Sequence, residues 1–125
     1  MVNFIKQYWL LITLFLMTAI ATLSLLPPVH LPQVPGSDKS HHFISYALLM
    51  LPIALRKPKH WLWITLVFAG FSGAIELIQP SVNRYGEWLD MFANVAGLVC
   101  GIILAKVIEC FLIDNRANKK STAVD

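Results

Sequence analysis

Residues 8–26 form an apolar run without a charged side chain, and three more apolar segments follow at about 43–55, 61–79 and 89–113. A helix needs roughly 20 mainly apolar residues to cross the hydrocarbon core of a bilayer. The segment at 43–55 reaches that length only if its helix begins near Ser37, and Pro52 predicts a kink or an end within it. The pattern predicts an all-α fold, a four-helix transmembrane bundle.

The composition excludes several other classes of protein. The 125 residues are 57% hydrophobic and 14% charged, too few charges for a soluble domain of this size. The net charge of +3 does not indicate nucleic acid as a partner, because no basic stripe with interleaved aromatic residues occurs. Cys100 and Cys110, ten residues apart on one predicted helix, would be separated by about 15 Å, too far for a disulfide.

The distribution of basic residues predicts the orientation of the bundle. With the N-terminus inside, eight of the ten lysines and arginines fall on the cytoplasmic side, and only Lys39 and Arg84 fall outside. The sequence therefore predicts a multi-pass protein of the cell membrane with cytoplasmic N- and C-termini. Residues 1–113 form the membrane domain, and residues 114–125 are predicted to be a mobile polar cytoplasmic tail.

The first apolar run has an alternative interpretation as a cleaved signal peptide. The residues "AIA" at 19–21 fit a small-x-small cleavage pattern. The apolar run is long and continues past this site, which favours a retained helix. Either alternative leaves the remaining segments in the same orientation.

Polar residues gather at the predicted outer ends of the last three segments, at helical spacing. Each stripe would be costly against lipid, so we expect all three to face the bundle interior. Gly97 and Gly101 would let another helix approach closely. The stripes comprise Asp38, His42, Ser45 and Tyr46 in the second segment; Ser72, Glu76 and Gln79 in the third; and Asp90, Asn94, Gly97 and Gly101 in the fourth.

Several of these residues have a structural interpretation beside a functional one. Asp38, together with Ser37, is suited to cap the second helix, or it forms part of a site wall. Lys39 and His41 point off the stripe and are expected at the lipid head groups. Glu76 lies inside the apolar region, where a carboxylate is by default a functional hypothesis.

The polar turn before the fourth segment carries two further charged groups of interest. Arg84 either pairs with Glu76 or Asp90, or binds an anionic head group. Glu87 and Asp90 also suit the positive N-terminal end of the fourth helix.

Three motifs resemble the VanZ-like family of small membrane proteins. They are "DKSHHFISY", "ELIQ" and "RYGEWLDMFANVAGLVCG", within residues 37–105. The sequence departs from the family pattern at Glu87, where many relatives would have a small hydroxyl residue. The resemblance implies a multi-span membrane protein, and the namesake is associated with low-level resistance to the lipoglycopeptide teicoplanin. The matching residues are Asp38, Lys39, His42, Phe43, Tyr46, Glu76, Gln79, Arg84, Asp90, Asn94, Gly97 and Gly101.

The functional hypothesis favoured by these residues is recognition of an amphiphile at the outer leaflet. The ligand would be a membrane lipid head group, a lipid-linked cell-wall precursor or a lipoglycopeptide, in an envelope or glycopeptide-resistance role. No cofactor is predicted. A second copy of the chain or another envelope protein is the alternative partner. The predicted ligand-binding residues are Asp38, Lys39, His42, Tyr46, Glu76, Gln79, Arg84, Asp90 and Asn94.

Other functions remain open at this stage. A membrane enzyme acting on a lipid-linked substrate would use His42 or Glu76 as acid or base, with Asp38 orienting His42. Sequence signatures of a nucleophile or phosphate loop do not occur, which disfavours catalysis. His42, Asp38, Glu76 and Asp90 could meet around a metal, but they lack local ligand spacing, so no metal site is predicted. A purely structural role, with the polar stripes joining helices, is the third hypothesis.

Overall fold

The computed structural model describes residues 1–27 and 37–121, with side chains as far as residue 113. Over these residues the protein is all-helical, with no strand. The helices are α1 (Val2–Gln7), α2 (Trp9–Leu25), α3 (Asp38–Arg56), α4 (Trp61–Ile78), a 3₁₀ helix (Gln79–Val82) and α5 (Trp88–Ser121).

Local sequence signals explain where the helices begin and end. Ser37 is the N-cap of α3, since its Oγ accepts a hydrogen bond from the backbone N–H of Ser40 at 3.2 Å. Asp38 is therefore the first helical residue rather than the cap. α3 continues through Pro52 and ends at Arg56, and its C-cap Lys57 has a left-handed φ of 49°. The 3₁₀ helix follows α4 directly. Pro80, which has no backbone N–H, lies in its first turn.

The first and last predicted segments differ from the observed helices. The run at residues 8–26 is preceded by a separate short helix, α1, with a break at Tyr8. α5 continues beyond residue 113 to Ser121, and residues 122–125 lie outside the described part of the chain. The mobility expected of residues 114–125 stays a prediction.

Helix α3 is the centre of the molecule. It contacts α1, α2, α4 and α5, most extensively α5, and it supplies much of the buried apolar core. Leu49, Met50 and Ile53 in its second half are fully buried. The other helices cover α3. It can therefore carry more polar side chains than a helix that is surrounded by lipid.

Two of the four predicted spans are long and apolar enough to cross a membrane. They are residues Trp61–Val82 and Trp88–Ile113. α2 is apolar but shorter, and α3 does not meet the same criterion in the described part of the chain. Length and composition thus support two spans and leave the four-span arrangement as a proposal.

Two glycines allow α5 to lie directly against α3. A Cβ atom on Gly97 would overlap the carbonyl oxygen of Phe43 and come within 3.1 Å of the backbone nitrogen of Ala47. One on Gly101 would come within 2.6 Å of the carbonyl oxygen of Ala47 and 2.8 Å of Met50 Cβ. The contacts are mostly backbone atoms, so the two helix axes are as close as glycine permits.

A cluster of charges joins the helices at the end of the bundle away from Asp38. Glu109 on α5 accepts from Lys57 Nζ at 2.7 Å and from Lys6 Nζ at 3.4 Å. Lys57 follows α3 and Lys6 belongs to α1, so one carboxylate connects three helices. These half-exposed pairs contribute little stability individually, about 0.2–1 kcal/mol each.

Candidate functional site

The structure brings the polar stripes together where α3 and α5 begin and α4 ends. This polar cluster is formed by side chains from three helices and from the turn between α4 and α5. Most of its members are buried. The polar cluster comprises Asp38, Lys39, His42, Tyr46, Ser72, Glu76, Gln79, Arg84, Glu87, Asp90 and Asn94.

A buried hydrogen-bonded chain links the three helices through Asn94. Its Oδ1 lies 3.1 Å from Nδ1 of His42 on α3, and its Nδ2 donates to Oγ of Ser72 on α4 at 2.7 Å. All three side chains are buried. Since Asn94 Oδ1 can only accept, Nδ1 carries the proton in this contact, leaving Nε2 of His42 for other partners. His42 is thus oriented by Asn94, whereas the sequence suggested Asp38.

Glu76 places a carboxylate in the interior of the polar cluster. Its residue surface is 6% exposed, and its Oε2 accepts a hydrogen bond from the backbone N–H of Glu87 at 3.1 Å. Its other oxygen, Oε1, is buried and has no hydrogen-bond partner in the part of the chain that the structure describes. A buried acceptor without a donor is costly, so this oxygen marks a position where a donor or a cation would be stabilised.

The turn after α4 approaches Glu76 through Gly86, a residue that the sequence analysis did not single out. A Cβ atom at position 86 would overlap the backbone carbonyl oxygen of Glu76. Glycine therefore lets the following N–H, that of Glu87, reach the Glu76 carboxylate. The one available signal was a glycine inside the polar turn "RYGEW", which is common in turns that have no function.

Lys39 takes part in ion pairs across the mouth of the cluster. Its Nζ lies 2.7 Å from Glu87 Oε2 and 3.5 Å from Asp90 Oδ1. The expectation that Lys39 points off the stripe toward lipid head groups is corrected, because the start of α5 places two carboxylates beside it.

Arg84 and Gln79 connect the cluster to the end of α2. Arg84 Nη1 donates to the carbonyl oxygen of Leu23 at 2.8 Å, and its Nη2 lies 3.9 Å from Asp38 Oδ1. Asp38 is therefore the ion-pair partner of Arg84, rather than Glu76 or Asp90. Gln79 Nε2 donates to the carbonyl oxygen of Ser24 at 3.3 Å. The last turn of α2 thus supplies backbone acceptors that its apolar sequence did not reveal.

Three more polar atoms of the cluster are buried without a hydrogen bond. They are the hydroxyl of Tyr46, Oε1 of Gln79 and Oδ1 of Asp90. Tyr46 is 1% exposed and Gln79 1% exposed, so water does not reach most of either side chain. With Glu76 Oε1, the cluster contains three buried acceptor oxygens that lack donors among the described residues.

Three side chains of the cluster have the separation of a loose metal site. One ligand atom each from Asp38, His42 and Asp90 lies within 4.8 Å of the other two. The sequence analysis predicted no metal here because the ligands are far apart along the chain. The arrangement arises where the starts of α3 and α5 meet.

Comparison with known protein families assigns the chain to one of them. The sequence model of VanZ/LLP1 matches residues 1–109. The chain belongs to the VanZ/LLP1 family. The match includes α1 and α2, so it extends on both sides of the stretch 37–105 that carried the resemblance.

VanZ/LLP1 membership together with two long apolar helices indicates association with a membrane. No curated protein and no solved structure matches the chain. The function of this VanZ/LLP1 protein must therefore be argued from its own site.

Proposed function

We propose that this protein recognises the head group of an amphiphile through the polar cluster at the outer face of the cell membrane. The carrying observation is the concentration of buried polar groups from three helices at one end of an otherwise apolar bundle. Ligands in this class are a membrane lipid, a lipid-linked cell-wall precursor and a lipoglycopeptide. An envelope role, including glycopeptide resistance, follows from such binding.

The proposal includes a four-span arrangement in which α2, α3, α4 and α5 cross the bilayer. Asp38 and Lys57 are separated by about 28 Å of helical rise along α3, close to the thickness of a hydrocarbon core of about 30 Å. The polar cluster lies at one end of this distance and the Glu109 charge cluster at the other. α3 crosses as a central helix, so its polar first turns contact other helices instead of lipid.

The positive-inside bias supports placing the polar cluster outside. Most of the lysines and arginines belong to the end that contains Lys6 and Lys57, with both termini inside. In a Cys100→Ala, Cys110→Ala background, we expect Asp38→Cys to react with an impermeant maleimide in intact cells. Lys59→Cys, in the loop after α3, should react only after permeabilisation. The opposite labelling pattern would show that the topology is inverted.

The chemistry of the cluster favours a ligand that donates hydrogen bonds. Oε1 of Glu76 and Oε1 of Gln79 are buried acceptors that receive no hydrogen bond from any described residue. Arg84 and Lys39 are already engaged with Asp38, Glu87 and Asp90. Hydroxyl, amide or amino groups of a head group would satisfy the two acceptors, and the acyl or prenyl tail would lie along the exposed apolar faces of α4 and α5.

Binding is tested with protein in lipid nanodiscs and three probes: phosphatidylethanolamine, a short-chain lipid-linked muropeptide, and teicoplanin. Glu76→Gln is expected to weaken binding of the recognised probe at least tenfold, because a hydrogen bond to a charged group contributes about 1.5–3 kcal/mol. His42→Ala and Arg84→Ala should also weaken it. Glu109→Gln, at the opposite end, serves as the matched control and should bind as the parent does.

The same experiment separates recognition from the other two hypotheses. If the three cluster variants fold and bind every probe as the parent does, the polar groups serve only to join helices. Catalysis remains the alternative because Nε2 of His42 is left for acid or base work by the Asn94 contact. Product that forms from the lipid-linked probe and disappears in His42→Ala would replace simple recognition by an enzymatic function.

A further inference from the structure

We infer that Asp38, His42 and Asp90 form a binding site for a divalent cation of the zinc class. One carboxylate comes from the first turn of α3, the imidazole from its second turn, and the other carboxylate from the first turn of α5. Their ligand atoms lie within 4.8 Å of one another. A set of one imidazole and two carboxylates suits zinc and related divalent ions.

The separation is close to what a bound ion requires. With metal–ligand bonds of about 2.0–2.2 Å, neighbouring donor atoms in a tetrahedral site lie roughly 3.4 Å apart. The observed separations, all within 4.8 Å, therefore need to shorten by at most about 1.4 Å. Asp38 can move in this way, because its side chain is 61% exposed and its ion pair with Arg84 is long, at 3.9 Å. Asp90 and His42 are buried and already in place.

An independent observation points to a cation at the same position. Oδ1 of Asp90 is buried, with the residue 3% exposed, and it has no hydrogen-bond partner within residues 1–27 and 37–113. The nearest positive group, Lys39 Nζ, is 3.5 Å away and bonds instead to Glu87 at 2.7 Å. A buried carboxylate oxygen without a hydrogen bond is unfavourable, and a coordinated ion would remove that cost.

The charges around these three residues also favour a cation. Four carboxylates, those of Asp38, Glu76, Glu87 and Asp90, lie in the cluster, and among the described residues Lys39 and Arg84 form ion pairs with three of them. Glu76 interacts electrostatically with His42, Asp90 and Asp38, and its Oε1 is buried without a partner.

The imidazole is prepared for such a role by its neighbour. Nδ1 of His42 is hydrogen-bonded to Asn94 Oδ1, and metal-binding histidines commonly use their second nitrogen in this way. The bond fixes the tautomer that leaves Nε2 as a ligand. Three protein ligands leave coordination positions open for water or for an oxygen atom of the proposed amphiphile. In that last respect only, the inference rests on the proposed function.

The test measures zinc binding itself, on full-length protein in detergent, stripped with EDTA and dialysed. Titration with ZnCl₂ should give one site per chain, with metal content confirmed by elemental analysis. Asp90→Asn and His42→Ala should each weaken zinc affinity by more than about tenfold, the lower end of losses seen when only an outer partner of a metal site is removed. His60→Ala, an exposed histidine in the turn before α4, is the control and should bind zinc as the parent does.

Lys39→Met provides a second test with the opposite expected result, a gain of zinc affinity. Such a gain cannot be produced by a variant that is merely less stable. Removing the ammonium beside Asp90 should tighten zinc binding roughly tenfold, because a divalent ion and an ammonium repel at this separation. Equal zinc binding by the parent and by Asp90→Asn, or no change in Lys39→Met, would overturn the inference. Amphiphile binding measured in EDTA is scored separately, so loss of the cation site and loss of the proposed function are distinguishable.

Discussion

Replacing Gly97 by alanine is expected to lower the free energy of unfolding by about 2 kcal/mol or more. The added methyl would overlap the carbonyl oxygen of Phe43 and press on the backbone nitrogen of Ala47. Overpacking in a core costs typically about 1–3 kcal/mol, and here the obstacle is backbone rather than a flexible side chain. Unfolding can be followed by SDS titration in mixed micelles with tryptophan fluorescence.

The same substitution should also disturb the polar cluster. Gly97 lies one turn from Asn94, so separating α5 from α3 would stretch the 3.1 Å contact between Asn94 and His42. Gly70→Ala is a matched control, because a Cβ atom there has nothing within 4 Å. Alanine at an open helix position stabilises by about 0.5–1 kcal/mol relative to glycine. Equal effects at the two positions would show that α3 and α5 do not pack as described.

Asn94→Ala should be the second most damaging change, with a loss of about 1–3 kcal/mol. The variant leaves His42 Nδ1 and Ser72 Oγ without their buried partner, and an unsatisfied buried group costs about that amount. Interhelical hydrogen bonds in membrane proteins contribute less, about 0.6 kcal/mol on average. The expected loss of stability therefore comes mainly from the buried polar groups of His42 and Ser72 that are left without a partner, and less from the two lost hydrogen bonds themselves. Thermal unfolding in detergent provides the measurement.

A control for Asn94→Ala is Asn3→Ala in α1, where the side chain is exposed. We expect a change within about 0.5 kcal/mol for that variant. Adding Ser72→Ala to Asn94→Ala should cost much less than Ser72→Ala alone does in the parent, because the two residues share one hydrogen bond. Strict additivity of the two substitutions would contradict the hydrogen-bonded chain.

Periodicity along the chain predicted most of the polar residues that meet, but not Lys39, which it placed off the stripe. Asp38, His42, Glu76, Asp90 and Asn94 were placed on inward faces because helical spacing and the cost of polar groups in lipid are local properties. The structure brings these residues into one cluster. In an antiparallel bundle with short connections, the starts of α3 and α5 and the end of α4 lie at the same end.

The pairing within the cluster could not be predicted in the same way. Arg84 pairs with Asp38, Lys39 with Glu87 and Asp90, and His42 with Asn94. Each choice depends on how far α5 is shifted along α3, and that shift is set by backbone contacts at Gly97. A long side chain such as lysine or arginine reaches any of several carboxylates when the shift is unknown.

The sequence by itself determined the helical class of this VanZ/LLP1 protein and most of the polar residues that face inward, whereas Asp38, which it also placed inward, is exposed in the structure. These follow from hydrophobic segments, spacing and caps, which act over a few residues. Only the tertiary structure decided that α3 is the central helix covered by the others, and that Gly86 lets the turn lie against Glu76. It also decided that ligand atoms of Asp38, His42 and Asp90 lie within 4.8 Å of one another. These features depend on close contacts between segments distant in the chain, and no local pattern records the distance between two helices.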